Sequence, residues 1–191
     1  MGALAATKIS VKEYLALDRV AEVRSEYHDG EMFPLEAATL QHSIISANVS
    51  RLLGDRLLNT PCGPMLTLRV RVSPTKYVIP GMLVICGKPM LTDERNETVT
   101  NPKFIVEILS PSTENYDYGT KFILYRELES FEEYMLVSQD KARVEVMLKT
   151  PDKRWLITTY EGLDATVVLE SLNISLPMSE IYRRVELPAL N

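Results

Sequence analysis

The stretch Phe104-Ile-Val-Glu-Ile-Leu-Ser-Pro-Ser-Thr113 is a short apolar run that contains a single carboxylate. Such a run, closed at once by a Ser-Pro turn, is typical of a central strand covered on both faces. Burying an unpaired carboxylate costs several kcal/mol or more, so Glu107 requires a cation, a proton or a metal nearby. Lys121, on the helix that follows, is the candidate partner. The stretch therefore predicts a central strand with a site beside it.

The composition is that of an ordinary globular protein, with 191 residues, 46% hydrophobic and 25% charged. This length predicts one domain, residues 1–191. The longest apolar runs are too short to span a membrane, and the first residues lack a signal-peptide pattern, so we expect a cytoplasmic protein with no membrane partner. The formal net charge of -5 gives no support to bulk electrostatic binding of nucleic acid, although it is compatible with a local basic groove.

Periodicity predicts an α/β sandwich around a mixed central sheet. Ser10-Val-Lys-Glu13 has the form of a capping box that opens a helix to about Leu17. Residues 26–33 have the pattern of a hairpin turning at Asp29-Gly30, with Glu26 and Glu31 on either side of the turn. Apolar steps of three and four residues predict helices over about 40–58 and 119–129. Strands are predicted at about 66–72, 77–86, 104–109, 133–138, 143–149 and 154–160.

The predicted strand 66–72 alternates apolar residues with polar ones, and two of the polar residues are Arg69 and Arg71. Residues two apart on a strand point to the same face. We therefore expect both arginines either on an exposed sheet edge or on a groove wall that contacts a phosphate backbone. In the second case, replacing both by alanine is expected to weaken DNA binding and its dependence on salt.

These motifs together resemble the PD-(D/E)XK nuclease superfamily, and more closely a large bacterial family of "putative restriction endonucleases" long filed as a domain of unknown function. The resemblance covers about residues 10–185 and implies a restriction-endonuclease-like mixed central sheet flanked by helices, DNA as a partner, and a homodimer. In residues 27–31, the spacing of the family's Y-E-x-x-D-G-E pattern is altered. The other segments that carry the resemblance are Gln41-His42, Pro80-Gly81, Val106-Glu-Ile-Leu-Ser-Pro-Ser-Thr113, Lys121, Tyr125 and Glu133-Tyr-Met-Leu-Val137.

The resemblance implies a metal-dependent phosphodiesterase in which an aspartate and a glutamate hold Mg²⁺ and a lysine positions the attacking water. Glu107 would be a metal ligand. Lys121 would supply the cation, because Leu109 stands at the motif's own lysine position. Tyr125, Glu31 and His42 would complete the cleft. A hard dication takes carboxylate oxygens and polarises the phosphate, while a lysine stabilises developing negative charge.

The departure from the family pattern is Gly81, which stands where a metal-binding aspartate is expected. Mg²⁺ is usually held by one or two protein carboxylates, so losing one predicts weak or absent Mg²⁺ binding. The expected function is therefore that of a DNA endonuclease with a degenerate site. The first alternative is an inactive nucleic-acid- or partner-binding module on the same fold. A second alternative is a hydrolase whose metal is completed by a carboxylate between Asp93 and Glu97.

A purely structural interpretation stays open for each candidate residue. Glu107 and Lys121 can be a buried ion pair that only joins strand to helix. His42 can be a residue at a helix end, and Tyr125 can belong to the core. Glu26 and Glu31 are expected to be solvated hairpin carboxylates.

Overall fold

In a computed structural model of the chain, the structure is described for residues 8–93 and 95–188. Within these ranges, no helix is long and apolar enough to cross a membrane. The helices are α1 Val11–Asp18, α2 Leu40–Leu57, α3 Glu114–Tyr116, α4 Phe122–Tyr125 and α5 Met178–Ile181, with a π-helical turn, Asp117–Lys121, between α3 and α4. The strands are β1 Ser25–His28, β2 Glu31–Pro34, β3 Cys62–Leu66, β4 Arg69–Ser73, β5 Lys76–Val78, β6 Met82–Cys86, β7 Thr98–Val99, β8 Phe104–Leu109, β9 Glu133–Ser138, β10 Arg143–Lys149, β11 Trp155–Glu161, β12 Thr166–Leu169 and β13 Ile174–Pro177.

The largest sheet has six strands in the order β11-β10-β9-β8-β6-β3. Strand β8 pairs in parallel with β9 and antiparallel with β6, so the sheet is mixed. All six residues of β8 are buried. Alternate residues pack into two cores: Val106 packs with α2 on one face, and Ile105 packs with α4 on the other. This arrangement confirms the predicted α/β fold and the central position of β8.

A five-stranded sheet, β2-β1-β5-β4-β7, carries the predicted hairpin. The turn residues Asp29 and Gly30 have φ of 49° and 106°, a conformation that the Asp-Gly pair tolerates. Helix α1 begins at the predicted capping box and packs Tyr14 against Tyr27, with ring centroids 4.8 Å apart. The hairpin is thereby fixed to the rest of the chain.

Two of the predicted strands are each divided between different sheets. Residues 66–72 break at Thr67, whose φ is 60°, so that β3 and β4 belong to different sheets. Residues 77–86 break between β5 and β6, because Pro80 has no N–H to donate to a ladder. Gly81 therefore lies where the chain passes from one sheet to the other.

The chain between β8 and β9 also differs from its prediction. A helix was expected over 119–129, whereas helical structure begins at Glu114 and ends at Tyr125. The π-helical turn places Asp117 and Lys121 on the buried side of this segment. At the far edge of the sheet, Cys62 and Cys86 face each other across β3 and β6 and are joined by a disulfide.

Candidate active site

A cavity of about 880 Å³ opens where hairpin β1–β2, the link between β5 and β6, and the carboxyl end of β8 meet. The π-helical turn closes it from a fourth side. Glu107 and Lys121 both line this cavity, together with Gly81. The sequence predicted that these three residues lie together, and the structure brings them together.

Both oxygens of the Glu107 carboxylate are engaged by the protein. One oxygen, Oε1, lies 3.0 Å from the Lys121 amine and accepts a hydrogen bond from the Tyr125 hydroxyl at 2.9 Å. The other, Oε2, accepts from the backbone N–H of Gly81 at 2.9 Å. Glu107 is 5% exposed, so these contacts replace the water that a surface carboxylate would have.

Lys121 is surrounded by carboxylates. Its amine lies 3.0 Å from Glu107, 3.3 Å from Glu26 and 3.6 Å from Asp117. The amine also donates to the carbonyl oxygen of Ile79 at 3.3 Å. One buried ammonium group therefore faces three buried carboxyl groups, a larger cluster than the Glu107–Lys121 pair expected from the sequence.

The excess of carboxyl groups determines how the cluster holds protons. Burial raises the pKa of Glu107 to about 7, against the opposing attraction of Lys121. Burial also raises the pKa of Asp117. The pKa of Glu26 is instead lowered to about 2, because Lys121 and hydrogen-bond donors outweigh its burial. The three carboxylates raise the pKa of Lys121, which stays charged. Since one cation cannot neutralise three carboxylates, the cluster retains a shared proton near neutral pH.

Sequence reasoning missed the role of Glu26, which it placed among solvated residues. Glu26 is 3% exposed, and its Oε1 accepts from the backbone N–H of Ile79 at 2.9 Å. Its Oε2 accepts from the Tyr116 hydroxyl at 2.5 Å, and the same hydroxyl lies 2.9 Å from Nε2 of His28. The i, i+4 spacing of Asp117 and Lys121 was a readable signal for part of this cluster. Nothing local in the sequence distinguishes Glu26 from Glu31.

The other residues predicted to line the cleft lie in different places in the structure. Glu31 is exposed on β2 and does not line the cavity, so its assignment to the cleft was wrong. His42 does line the cavity, near the start of α2, and its backbone N–H donates to Thr39 Oγ1. Burial lowers the pKa of His42, which favours the neutral ring. Tyr125 is fully buried in the core and also bonds to Glu107, so both interpretations of this residue describe its position.

The prediction that Arg69 faces an exposed edge or an open groove is wrong. Arg69 is 1% exposed, donates to Asp18 Oδ2 and to Thr98 Oγ1, and lies over the ring of Tyr14. Both faces of β4 are covered at this point, because the neighbouring Val70 is buried as well. Arg71 is only half-buried, and no ion pair to it is found within the described residues. Of the two arginines, Arg71 is the one whose side chain is partly exposed.

The donor set around Gly81 does not fit a Mg²⁺ ion held by two carboxylates. A Cβ atom at Gly81 would lie 3.5 Å from Glu107 Oε2, so an aspartate there would set a second carboxylate beside the first. The two other nearby carboxylates contact Lys121, and the described residues hold no group of three His, Cys, Asp or Glu side chains arranged for a metal. In the loop after β6, Asp93 accepts hydrogen bonds from the N–H groups of Arg95 and Glu97. The described part of that loop does not line the cavity.

Comparison with known proteins gives consistent matches over most of the chain. Residues 11–179 match the model of the Uma2 family, described as "Putative restriction endonuclease". Two uncharacterised proteins of Synechocystis, sll1609 and slr1290, are 34% and 33% identical to it, each over 180 residues. These alignments cover 91% and 92% of the chain, and 100% and 92% of the relatives. A crystal structure described as a "putative nuclease belonging to DUF820" from Anabaena variabilis superposes with a TM-score of 0.73 at 21% identity, over 91% of this chain and 97% of that one.

Proposed function

This chain belongs to the Uma2 family, whose description is "Putative restriction endonuclease", and we propose that it is a DNA-binding protein on a nuclease-like fold that has lost Mg²⁺-dependent cleavage. The observation that carries this proposal is the contact at Glu107. The backbone N–H of Gly81 meets Glu107 Oε2 at 2.9 Å, where the family pattern expects a second carboxylate.

The chemistry of Mg²⁺ explains why this one position matters. Mg²⁺ requires near-ideal octahedral geometry and gives up its waters reluctantly, so it depends on a few well-placed carboxylate oxygens. At Glu107, one oxygen is bonded to Lys121 and Tyr125 and the other to Gly81. Lys121 also contacts the other two buried carboxylates, Glu26 at 3.3 Å and Asp117 at 3.6 Å, from within the protein. The residues of the site bind one another, and the described residues hold no group of three or more His, Cys, Asp or Glu side chains that could hold a metal ion.

A second candidate function is a non-catalytic module that binds a cationic partner. The lining of the cavity favours it, since the five carboxylate residues Glu26, Asp29, Glu36, Glu107 and Asp117 outnumber the lysines Lys76 and Lys121. Such an excess of negative charge opposes the approach of a phosphate backbone. The homodimer and the cytoplasmic location expected from the sequence are further parts of the proposal.

A plasmid-cleavage assay with and without Mg²⁺ tests the proposal. The wild-type protein is expected to show no Mg²⁺-dependent cleavage. Gly81→Asp is expected to gain it, and Gly81→Asp with Glu107→Gln is expected to lose it again. Gly81→Asn is the matched control, because it fills the same space without a charge. A Cβ at Gly81 would also lie 3.1 Å from the carbonyl oxygen of Val106, a crowding that both variants share. Mg²⁺-dependent cleavage by the wild type that disappears in Glu107→Gln would overturn the proposal.

A binding experiment separates the two candidate functions. Fluorescence anisotropy with a labelled duplex and with a labelled lysine-rich peptide compares the two partner classes in one buffer. Binding of the duplex alone supports the DNA-binding proposal. Binding of the peptide alone supports the second candidate.

A further inference from the structure

A second, smaller cavity, of about 260 Å³, lies at the carboxyl end of the parallel pair β8–β9. Leu109 and Ser138, the last residues of these two strands, are paired with each other, and both line the cavity. Crevices outside the carboxyl ends of parallel strands are frequent ligand sites in α/β proteins. None of the residues that line this cavity lines the larger one that contains Glu107.

One helical segment, residues 114–121, contributes to the walls of both cavities. Glu114 and Tyr118 line the smaller cavity, whereas Asp117 and Lys121 line the larger one. The members of each pair are four residues apart and therefore lie on the same side of the segment. The segment thus separates the smaller cavity from the carboxylate cluster around Lys121.

Strand β10 supplies a nearly buried carboxylate to the smaller cavity. Glu145 is 8% exposed and lies opposite Leu136 in the sheet. The hydrogen bonds that Glu145 accepts within the described residues come from Arg143, and both fall on Oε1, one of them from Nε at 3.0 Å. A nearly buried carboxylate oxygen is unfavourable without a donor, so Oε2 is available to an N–H or ammonium group in the cavity.

The Tyr118 hydroxyl lies near the Glu145 carboxylate and supplies a donor. Burial and the charge of Glu145 raise the pKa of Tyr118 to about 12, so the hydroxyl keeps its proton at neutral pH. A hydrogen-bond donor and a carboxylate acceptor therefore stand side by side in this cavity.

The charges that line the smaller cavity balance. Lys141 and Glu114 are exposed, and across the described ranges of the chain neither forms an ion pair. Together with Arg143 and Glu145 they give two cations and two carboxylates. A ligand that carries one positive and one negative charge preserves this balance, whereas a singly charged ligand leaves one charge uncompensated.

From these groups we infer that the smaller cavity binds a small aliphatic α-amino acid as its zwitterion. The ammonium group of the ligand donates to Glu145 Oε2, and the carboxylate accepts from the Tyr118 hydroxyl and faces Lys141. The side chain of the ligand packs on Leu109 and Leu136, which belong to the apolar core. At about 30 Å³ per water, the cavity has the volume of about nine waters, which suits an amino acid as small as valine.

The adjacency of Tyr118 and Glu145 favours an α-amino acid over a longer zwitterion. The ammonium and carboxylate groups of an α-amino acid are attached to the same carbon atom, so the protein groups that bind them must be neighbours. This site does not depend on the proposed function, because its walls share no residue with the larger cavity. Amino-acid binding and Mg²⁺-dependent cleavage are therefore tested by separate measurements.

Calorimetric titration of L-valine into the full chain tests the inference. L-valine is expected to bind saturably. L-valinamide lacks the carboxylate and N-acetyl-L-valine lacks the ammonium group, so each is expected to bind at least about tenfold more weakly. The same loss is expected for 6-aminohexanoate, because its two charges are too far apart to meet Tyr118 and Glu145 together.

Two variants locate the binding. Lys141→Met and Tyr118→Phe are each expected to raise the dissociation constant of L-valine about tenfold, because each removes one donor to the ligand carboxylate. Tyr118→Phe keeps the ring and removes only the hydroxyl, and circular dichroism checks that both variants fold. The matched control is Lys88→Met, which removes an exposed lysine outside the cavity and is expected to leave binding unchanged.

The absence of saturable binding of L-valine to the wild type would overturn the inference. It would equally be overturned by L-valinamide that binds as tightly as L-valine, or by Lys141→Met and Tyr118→Phe that both bind L-valine like the wild type.

Discussion

Two buried ion clusters in this molecule differ in how their charges balance. In the first, Asp18 bonds to Arg69 and Arg24 and accepts from the backbone N–H of Ser25. These donors outweigh burial and lower the pKa of Asp18. In the second, one ammonium group, on Lys121, faces the carboxyl groups of Glu26, Glu107 and Asp117 beside an open cavity, and the pKa of Glu107 is raised.

The difference separates a cluster that supports the fold from one that marks a site. Asp18 and Arg69 are not among the residues that line the cavity, and each carboxylate oxygen of Asp18 has a donor. The second cluster keeps an excess of negative charge beside space for a ligand, which is the arrangement found where pKa values are tuned for function. A buried ion pair therefore indicates a functional site only when the charges around it do not balance and a cavity lies beside it.

Arg69→Met is expected to have the largest effect, a loss of about 3–5 kcal/mol in the free energy of unfolding, because it removes the buried cation beside Asp18 and leaves that carboxylate with Arg24 as its one cationic partner. Urea denaturation measures this loss. The control is Arg19→Met, which breaks an exposed pair with Glu97 at 3.3 Å and is expected to cost about 1 kcal/mol or less. Equal losses for the two variants would show that the first cluster contributes no more than a surface pair.

Glu107→Gln is expected to change the pH dependence of stability. The folded pKa of Glu107, about 7, lies above the ordinary 4.5, so the folded state holds the proton more tightly than the unfolded chain. Its contribution to stability is complete below pH 4.5 and is lost as the pH rises through 7. Relative to Glu107→Gln, which cannot ionise, the wild type should lose about 3 kcal/mol over that range, at roughly 1.4 kcal/mol per pKa unit. Urea denaturation at several pH values measures the difference, and parallel curves would contradict the proposed proton balance.

Arg71→Ala is expected to have the smallest effect, a modest loss of DNA affinity with little change in stability. If Arg71 contacts one phosphate, its removal should reduce the slope of log binding constant against log salt by about 0.9. Titration of a labelled duplex at several salt concentrations measures the slope. An unchanged slope would remove Arg71 from the DNA interface and leave strand β4 with two structural arginines.

Much of the fold and part of the site could be predicted from the sequence. The capping box at Ser10, the Asp29-Gly30 turn, helix α2 and strand β8 follow from local patterns, and the structure confirms them. The meeting of Glu107 with Lys121 also followed, because a carboxylate in a buried strand requires a cation.

The parts of the fold and of the site that were not predicted depend on contacts between residues far apart in the sequence. Alternation predicted a basic face for β4, but Asp18 from α1 and Thr98 from β7 enclose Arg69. Glu26 and Glu31 lie on the same hairpin, and only packing against Tyr116 and the 79–81 link decides that Glu26 enters the cavity. Local periodicity carries no information about such partners.

Calorimetric titration of Mg²⁺ into wild type, Gly81→Asp and Gly81→Asn tests most directly whether the missing carboxylate disables the site. The wild type and Gly81→Asn are expected to give no saturable binding heat, because Glu107 Oε2, the carboxylate oxygen beside the vacated position, has no second carboxylate from residue 81 to complete the site. Gly81→Asp is expected to bind Mg²⁺ saturably and to lose that binding when Glu107→Gln is added. Saturable binding to the wild type that disappears in Glu107→Gln would contradict a disabled metal site.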